Sequence, residues 1–101
     1  MRIVLPMIGL LLLALPARAE GDARQGAGFA QDWCASCHVV GKEAAARGTD
    51  AVPSFASVAR NPAKGPDYVR RVLANPHPSM PRMPLSQRAV EDIVAYFRTL
   101  R

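Results

Sequence analysis

The stretch WCASCH, residues 33–38, contains both cysteines of the chain, Cys34 and Cys37, and places His38 directly after the second. In a helical turn, positions i, i+3 and i+4 lie on one face, so the two thiols and the imidazole can contact the same group. A disulfide between the cysteines would close a loop of two residues, which constrains the unfolded chain very little. The stretch therefore predicts a binding site and not a covalent cross-link.

Three kinds of site use two cysteines at this spacing. A thioredoxin-like redox pair needs a βαβ context, whereas the residues before Cys34 carry no strand signal. A zinc site needs four ligands, and the only other histidine is His77. The third kind is covalent haem attachment, in which each thiol of a C-x-x-C-H motif adds to a haem vinyl group and the histidine binds iron. The motif predicts one haem c, linked through Cys34 and Cys37, with His38 as the proximal axial ligand.

The N-terminus is typical of an export signal. Arg2 is followed by an apolar run over residues 3–17 and by the small-residue triplet at 17–19. The run is shorter than the roughly 20 residues that a membrane-spanning helix needs, and two prolines interrupt it. We expect residues 1–19 to be a cleaved signal peptide, residues 20–101 to form a single domain, and the protein to reach the periplasm without a stable membrane anchor.

The mature chain is short and weakly basic. It has 82 residues, with 11 Lys and Arg against 8 Asp and Glu, a net charge of +3. Such a small excess, spread along the chain, favours a solvated surface with one basic docking face and not a nucleic-acid site. A domain of this size buries only roughly 60–65% of its unfolded surface, so its own core is marginal. A bound haem would add the missing apolar core.

The segment at residues 75–84 carries the candidates for the second axial position of the iron. It contains four prolines, and Met80 and Met83 each precede one of them. Proline restricts itself and the residue before it, so this loop is stiff and irregular. A thioether in the sixth position restricts the iron to electron transfer, whereas an open position allows gas binding or peroxide chemistry. His77 is a further possible ligand, which would give a bis-histidine haem.

Four segments resemble the class I cytochromes c and together cover nearly all of the mature chain. Residues 26–34 resemble the N-terminal helix of that family, with Gly26 where two helices cross, and residues 51–55 resemble its proline loop. Residues 80–85 resemble its methionine loop, and residues 85–100 its C-terminal helix. The resemblance implies an all-α, cytochrome c-like fold, with about four short helices wrapped around one covalently bound haem.

The same resemblance assigns roles to individual residues. The family places a backbone carbonyl of the proline loop against the proximal histidine, a role that falls here to Pro53 toward His38. Its ligand methionine precedes a proline and lies five residues before a leucine that begins the last helix. Met80 and Leu85 match that spacing, so Met80 is the preferred distal ligand and Met83 the alternative. His77 is expected to lie near the haem edge.

Helix positions follow from capping and periodicity. Ser86 is a plausible N-cap of the last helix, whose apolar stripe comprises Ala89, Ile93, Tyr96 and Leu100, widened by Val90 and Phe97. Tyr96 is expected to pack near Gly26. A middle helix is predicted at residues 66–74, with Arg70 and Arg71 exposed, and a short helical turn at residues 55–59.

One position departs from the family, which often has an aromatic residue four positions before the first cysteine. This chain has Ala30 there. We expect Phe29 and Trp33 to supply the aromatic bulk.

The resemblance implies a monohaem electron carrier and not an enzyme. It would accept electrons from a dehydrogenase or quinol-oxidising complex and deliver them to a terminal oxidase or reductase. The first alternative is a haem c subunit tightly bound to a periplasmic dehydrogenase, which would copurify at fixed stoichiometry. The second is a haem sensor or peroxidase with an open sixth site, which would bind carbon monoxide. Candidate docking charges toward redox partners are Arg60, Lys64, Arg70, Arg71, Arg82 and Arg88.

Overall fold

The computed structural model describes residues 20–42 and 52–101, and these form helices and connecting loops. The helices are α1 (Ala23–Phe29), α2 (Phe55–Arg60), α3 (Pro66–Ala74) and α4 (Gln87–Thr99), and a π-helical turn at Ala30–Cys34 directly continues α1. Within these two ranges there is no strand, which confirms the all-α prediction. The expected signal peptide, residues 1–19, lies outside the described residues, as does Ala51 in the predicted proline loop.

Side-chain caps mark where three of the helices begin. The Asp22 carboxylate accepts the backbone N–H groups of Arg24 and Gln25 at the start of α1. The Ser54 hydroxyl caps α2, and the Ser86 hydroxyl accepts the N–H of Ala89 at 3.0 Å in α4, which confirms the Ser86 prediction. These bonds satisfy backbone donors that have no partner within a helix. Leu85 precedes the cap of α4 and does not begin the helix.

The N-terminal segment crosses α4 at two glycines. A Cβ added to Gly26 would overlap the carbonyl oxygen of Asp92 and would lie 2.9 Å from the Cβ of Tyr96, so the predicted contact between Gly26 and Tyr96 is confirmed. A Cβ on Gly21 would overlap the carbonyl of Glu91. The backbones therefore approach more closely than any side chain allows.

The buried face of α4 is broader than the predicted stripe. Ala89, Ile93 and Leu100 are buried as expected, but Val94 and Asp92 are buried too. The Asp92 carboxylate accepts the backbone N–H of Asp22 at 2.7 Å, so a polar side chain joins α4 to the start of α1.

The π-helical turn decides which aromatic residue enters the core before the motif. Ala30 is fully buried, and Phe29 packs against a cluster that includes Val58, Ile93 and Val94. Trp33 is 59% exposed, so the expectation that it supplies core bulk is wrong. A π turn takes more residues than an α turn and rotates the positions that follow it. Trp33, within the turn, therefore faces outward, whereas Phe29 precedes the turn and packs on the core as the last residue of α1.

Arg70 is held by ion pairs and is not a free docking charge. Its guanidinium binds the Glu91 carboxylate through two hydrogen bonds of 2.8 and 3.0 Å and the Asp67 carboxylate through a third of 2.8 Å. Arg88 likewise contacts Asp92 at 3.3 Å. Arg70 is half-buried, so the prediction that it lies on the exposed face of α3 is wrong. Its partner Glu91 lies on α4, a pairing that helical periodicity in α3 does not reveal.

Replacing Glu91 by Gln tests the ion pair between α3 and α4. The hydrogen bonds from Arg70 hold the pKa of the Glu91 carboxyl below its usual value. We expect the variant to lose about 0.5–1 kcal/mol of unfolding free energy at pH 7, as for an ion pair that water still reaches in part. A lowered carboxyl pKa stabilises the fold above the ordinary glutamate pKa of about 4.3, and this contribution disappears as the pH falls through the lowered value. Urea titrations of both proteins at pH 7 and at successively lower pH measure the difference in unfolding free energy. A difference that stayed the same at low pH would contradict the ion-pair account.

Candidate haem site

The turn that follows the π-helical segment gathers the three motif residues. The backbone N–H groups of Cys37 and His38 both donate to the carbonyl of Cys34, at 3.1 and 2.8 Å. Cys34 is buried, Cys37 is exposed and His38 is half-buried. Burial raises the pKa of the Cys34 thiol, and the neighbouring Cys37 has a further effect in the same direction, so Cys34 is a neutral thiol at pH 7. The two thiols therefore differ in exposure although they share one turn.

The imidazole of His38 is fixed on one side. Its Nδ1 atom lies 2.8 Å from the carbonyl oxygen of Pro53 and donates to it, so Nε2 is the ring nitrogen left for a metal. The ring also lies 5.5 Å from the Phe55 ring, which stacks on Phe97 at 4.4 Å. A hydrogen bond from the Phe55 N–H to the Val39 carbonyl, 2.9 Å long, joins the motif to the proline loop.

A large open cleft borders the motif, and we call it the main cleft. The space between its walls, part of which is open to solvent, measures about 830 Å³. Cys34, His38, His77 and Met80 contribute its sulfur and imidazole groups. Its apolar wall comes from α2, α3 and α4 and includes Val58, Val69, Val72, Leu73, Ile93 and Phe97.

A second cleft lies on the exposed side of the motif. It shares Cys34, His38, His77 and Met80 with the main cleft, and it adds Cys37 and Met83 among its walls. The four shared residues show that the two clefts adjoin at the motif. Both cysteines, the fixed histidine and both methionines therefore border this pair of adjoining clefts.

The two methionines of the proline-rich loop differ in their surroundings. Met80 is half-buried, borders both clefts and donates its backbone N–H to the His77 carbonyl at 2.9 Å. Met83 borders only the second cleft and packs against the buried cluster that contains Cys34 and Phe55. His77 is exposed at the edge of both clefts.

These residues fit a haem. Two thiols in the walls of the clefts can form thioether links, an imidazole can bind iron through Nε2, and a thioether borders the same space. The walls contain aliphatic and aromatic side chains, which suit the faces of a porphyrin. Within the described residues, the lining of the main cleft includes no carboxylate that would compete for the metal.

Several residues of the site could not be expected from the sequence. Lys64 and Tyr68 border the main cleft, and the Tyr96 hydroxyl donates to the Val40 carbonyl at 2.6 Å, tying α4 to the segment after the motif. Lys64 precedes α3 in a short turn and belongs to no periodic pattern. Only its position in the folded chain identifies it.

No helix in the described ranges, residues 20–42 and 52–101, is long and apolar enough to cross a membrane.

Comparison with known proteins identifies the family. Residues 21–97 match the family model described as cytochrome C oxidase, cbb3-type, subunit III. The chain is also 50% identical over 80 residues to cytochrome c-552 of Bradyrhizobium diazoefficiens, an alignment that covers 79% of this chain and 76% of that protein. A search of solved structures found no match. The chain therefore belongs to this cytochrome c family and is a small c-type cytochrome, an electron carrier with covalently attached haem c.

Proposed function

We propose that this cytochrome carries single electrons in the periplasm, from a dehydrogenase or quinol-oxidising complex to a terminal oxidase or reductase. His38 is the proximal ligand and Met80 the distal ligand in this proposal. The observation that carries it is the common cleft: the imidazole, fixed through Nδ1, and the Met80 side chain border the same space. An iron with both axial positions filled exchanges electrons and does not bind substrate.

Each residue has a defined task in this proposal. The haem supplies a one-electron couple between ferrous and ferric iron. Cys34 and Cys37 hold the porphyrin through thioether bonds. The Pro53 carbonyl accepts the Nδ1 proton of His38, which fixes the ring and raises the basicity of Nε2. The stiff proline-rich loop presents Met80 with little loss of backbone entropy.

The direction of electron flow follows from the ligand set. Thioether ligation favours the ferrous state and raises the reduction potential above that of a bis-histidine haem. A high-potential carrier accepts electrons from low-potential donors and passes them toward a terminal acceptor. The description of the matching family names a subunit of an oxidase, which supports a terminal oxidase as that acceptor.

Export and docking complete the proposal. Residues 1–19 act as a signal peptide that directs the chain to the periplasm and is removed. Redox partners then dock briefly on a partly basic surface beside the haem edge, as is usual for small redox encounters. Arg82 is its central charge, since it is exposed between the two methionines of the loop.

Replacing each methionine by Ala tests the ligand assignment. We expect Met80→Ala to abolish the near-infrared charge-transfer band of sulfur-ligated ferric haem and to allow the ferrous protein to bind carbon monoxide. Met83→Ala should retain the band, because that side chain borders only the second cleft. Absorption spectra of the two purified variants measure both properties. Loss of the band in Met83→Ala alone would transfer the ligand role to Met83, and carbon monoxide binding by the unmodified protein would favour an open sixth site.

A further inference from the structure

Lys64 is an unexpected cation in the wall of the main cleft. It is half-buried and follows a turn in which its backbone N–H donates to the Asn61 carbonyl at 2.9 Å. Its ammonium lies 5.4 Å from the centre of the Tyr68 ring, which also borders the cleft. Among the described residues, no other lysine or arginine lines this cleft.

No carboxylate of the described ranges balances this charge. The ion pairs formed there join Arg70 to Asp67 and Glu91, and Arg88 to Asp92, and none involves Lys64. An ammonium beside apolar walls is stabilised when an anion accompanies it. The contact with the Tyr68 ring stabilises it only weakly. The position therefore favours an anionic group inside the cleft.

The surroundings of Lys64 strengthen this preference. A smaller cleft shares Lys64 with the main cleft, and Arg98 and Arg101 also line it. A third cleft shares Arg101 with this smaller cleft and is lined by Arg60 as well. Within the described part of the chain, these two clefts too have no acidic residue in their walls. The walls of the clefts beside Lys64 thus contribute arginine side chains and no acidic side chain, which favours a positive potential at this end of the main cleft.

The haem itself carries the anion that this place suits. A porphyrin of this type has two carboxylate side chains on the edge away from its vinyl groups. Cys34 and Cys37 bind the vinyl edge, and the exposed Cys37 lies in the second cleft, whose walls do not include Lys64. We propose that Lys64 binds a haem carboxylate, so that it orients the cofactor and raises its reduction potential. Lys64 is then a positioning residue and not one of the docking charges.

The reduction potential and its pH dependence test this role. With Lys64 present, the carboxylate stays ionised in both redox states and the potential is independent of pH. Without the ammonium, the carboxylate pKa rises and differs between the ferric and ferrous states, because ferric iron favours the ionised form. Oxidation then releases protons, and the potential falls as the pH rises.

Other titratable groups face the same space and must be controlled. Tyr68 lies under the ammonium, His77 is at the cleft edge, and Arg60, Arg98 and Arg101 surround it. Each variant is therefore also prepared with His77→Asn, which removes any pH dependence that comes from the imidazole at the cleft edge.

The experiment uses the mature protein with its haem attached, titrated spectroelectrochemically from pH 5 to 8. We expect Lys64→Gln to lower the equilibrium constant for reduction about tenfold at pH 7, about 59 mV for a one-electron couple, and to make the potential fall with rising pH. Lys64→Arg should stay close to the unmodified protein. Arg71→Gln, which removes an exposed charge outside the clefts, is the matched control and should give a small shift without a slope.

Two results would overturn the proposal. One is a Lys64→Gln variant whose reduction potential matches that of Arg71→Gln from pH 5 to 8. The other is a Lys64→Gln variant whose potential is lowered by the same amount at every pH, because a surface charge that does not contact a carboxylate has that effect. The proposal rests on the haem ligation given above, so the near-infrared band is recorded in every variant. A band that persists in Lys64→Gln separates the role of Lys64 from the assignment of Met80.

Discussion

Gly26→Ala is expected to lower the free energy of unfolding by about 3 kcal/mol or more, one of the largest effects of any single substitution in this chain. The added Cβ would overlap the Asp92 carbonyl oxygen and crowd the Cβ of Tyr96, and neither is the end of a flexible side chain. The crossing of α1 over α4 would have to open, which disrupts packing on both sides of the contact. Thermal or urea unfolding of the haem-loaded protein measures the loss.

Gly28 offers a matched control in the same helix. It is exposed, and a Cβ there meets no atom within 4 Å. Gly28→Ala should therefore stabilise the protein by about 0.5–1 kcal/mol through helix propensity. Gly21→Ala should resemble Gly26→Ala, because its Cβ would overlap the Glu91 carbonyl. Equal effects at Gly26 and Gly28 would contradict the close helix crossing.

Replacing both Cys34 and Cys37 by Ala should abolish covalent haem attachment and with it most of the fixed tertiary structure. The buried apolar residues of the described part are mainly alanine and valine, with one each of phenylalanine, isoleucine and leucine. So small a core is marginal for a domain of this length. The apolar walls of the main cleft would remain exposed to water without the porphyrin, and each apolar square ångström left exposed forfeits about 25 cal/mol.

Near-ultraviolet circular dichroism and limited proteolysis measure this loss, alongside a haem stain of the denatured protein. Ser36→Ala is the control, since Ser36 lies within the motif but contributes only a weak, 3.9 Å contact to the Cys37 sulfur. That variant should retain haem and structure. A double cysteine variant that lacked haem yet kept the dichroism and protease resistance of the unmodified protein would show that the helices assemble without the cofactor.

Local signals in the sequence were sufficient to predict the main elements. The motif formed by Cys34, Cys37 and His38 lies within about one helical turn, and the Ser86 cap involves only four consecutive residues, so both can be recognised from a short segment. The crossing at Gly26 was predicted through the resemblance to class I cytochromes c. These features are local or follow from the family, so they need no knowledge of how distant segments of this chain pack.

Features that depend on distant contacts were missed. Trp33 faces outward because of the π-helical turn, which no periodic pattern announces. Arg70 binds Glu91 across 21 residues of sequence, and Asp92 is buried because the start of α1 supplies a backbone donor. Lys64 lies in the cofactor cleft through the placement of a short turn. Each of these features depends on the position of another part of the chain, so the local sequence pattern does not predict it.

The most direct test of the covalent haem is extraction of the mature protein with acidified acetone after expression in a host that matures c-type cytochromes. This treatment removes haem that is held by coordination and packing alone. We predict that the pigment stays with the precipitated protein and that the intact mass exceeds that of residues 20–101 by one haem. A colourless protein, or pigment that passes into the acetone, would contradict a cofactor joined to Cys34 and Cys37.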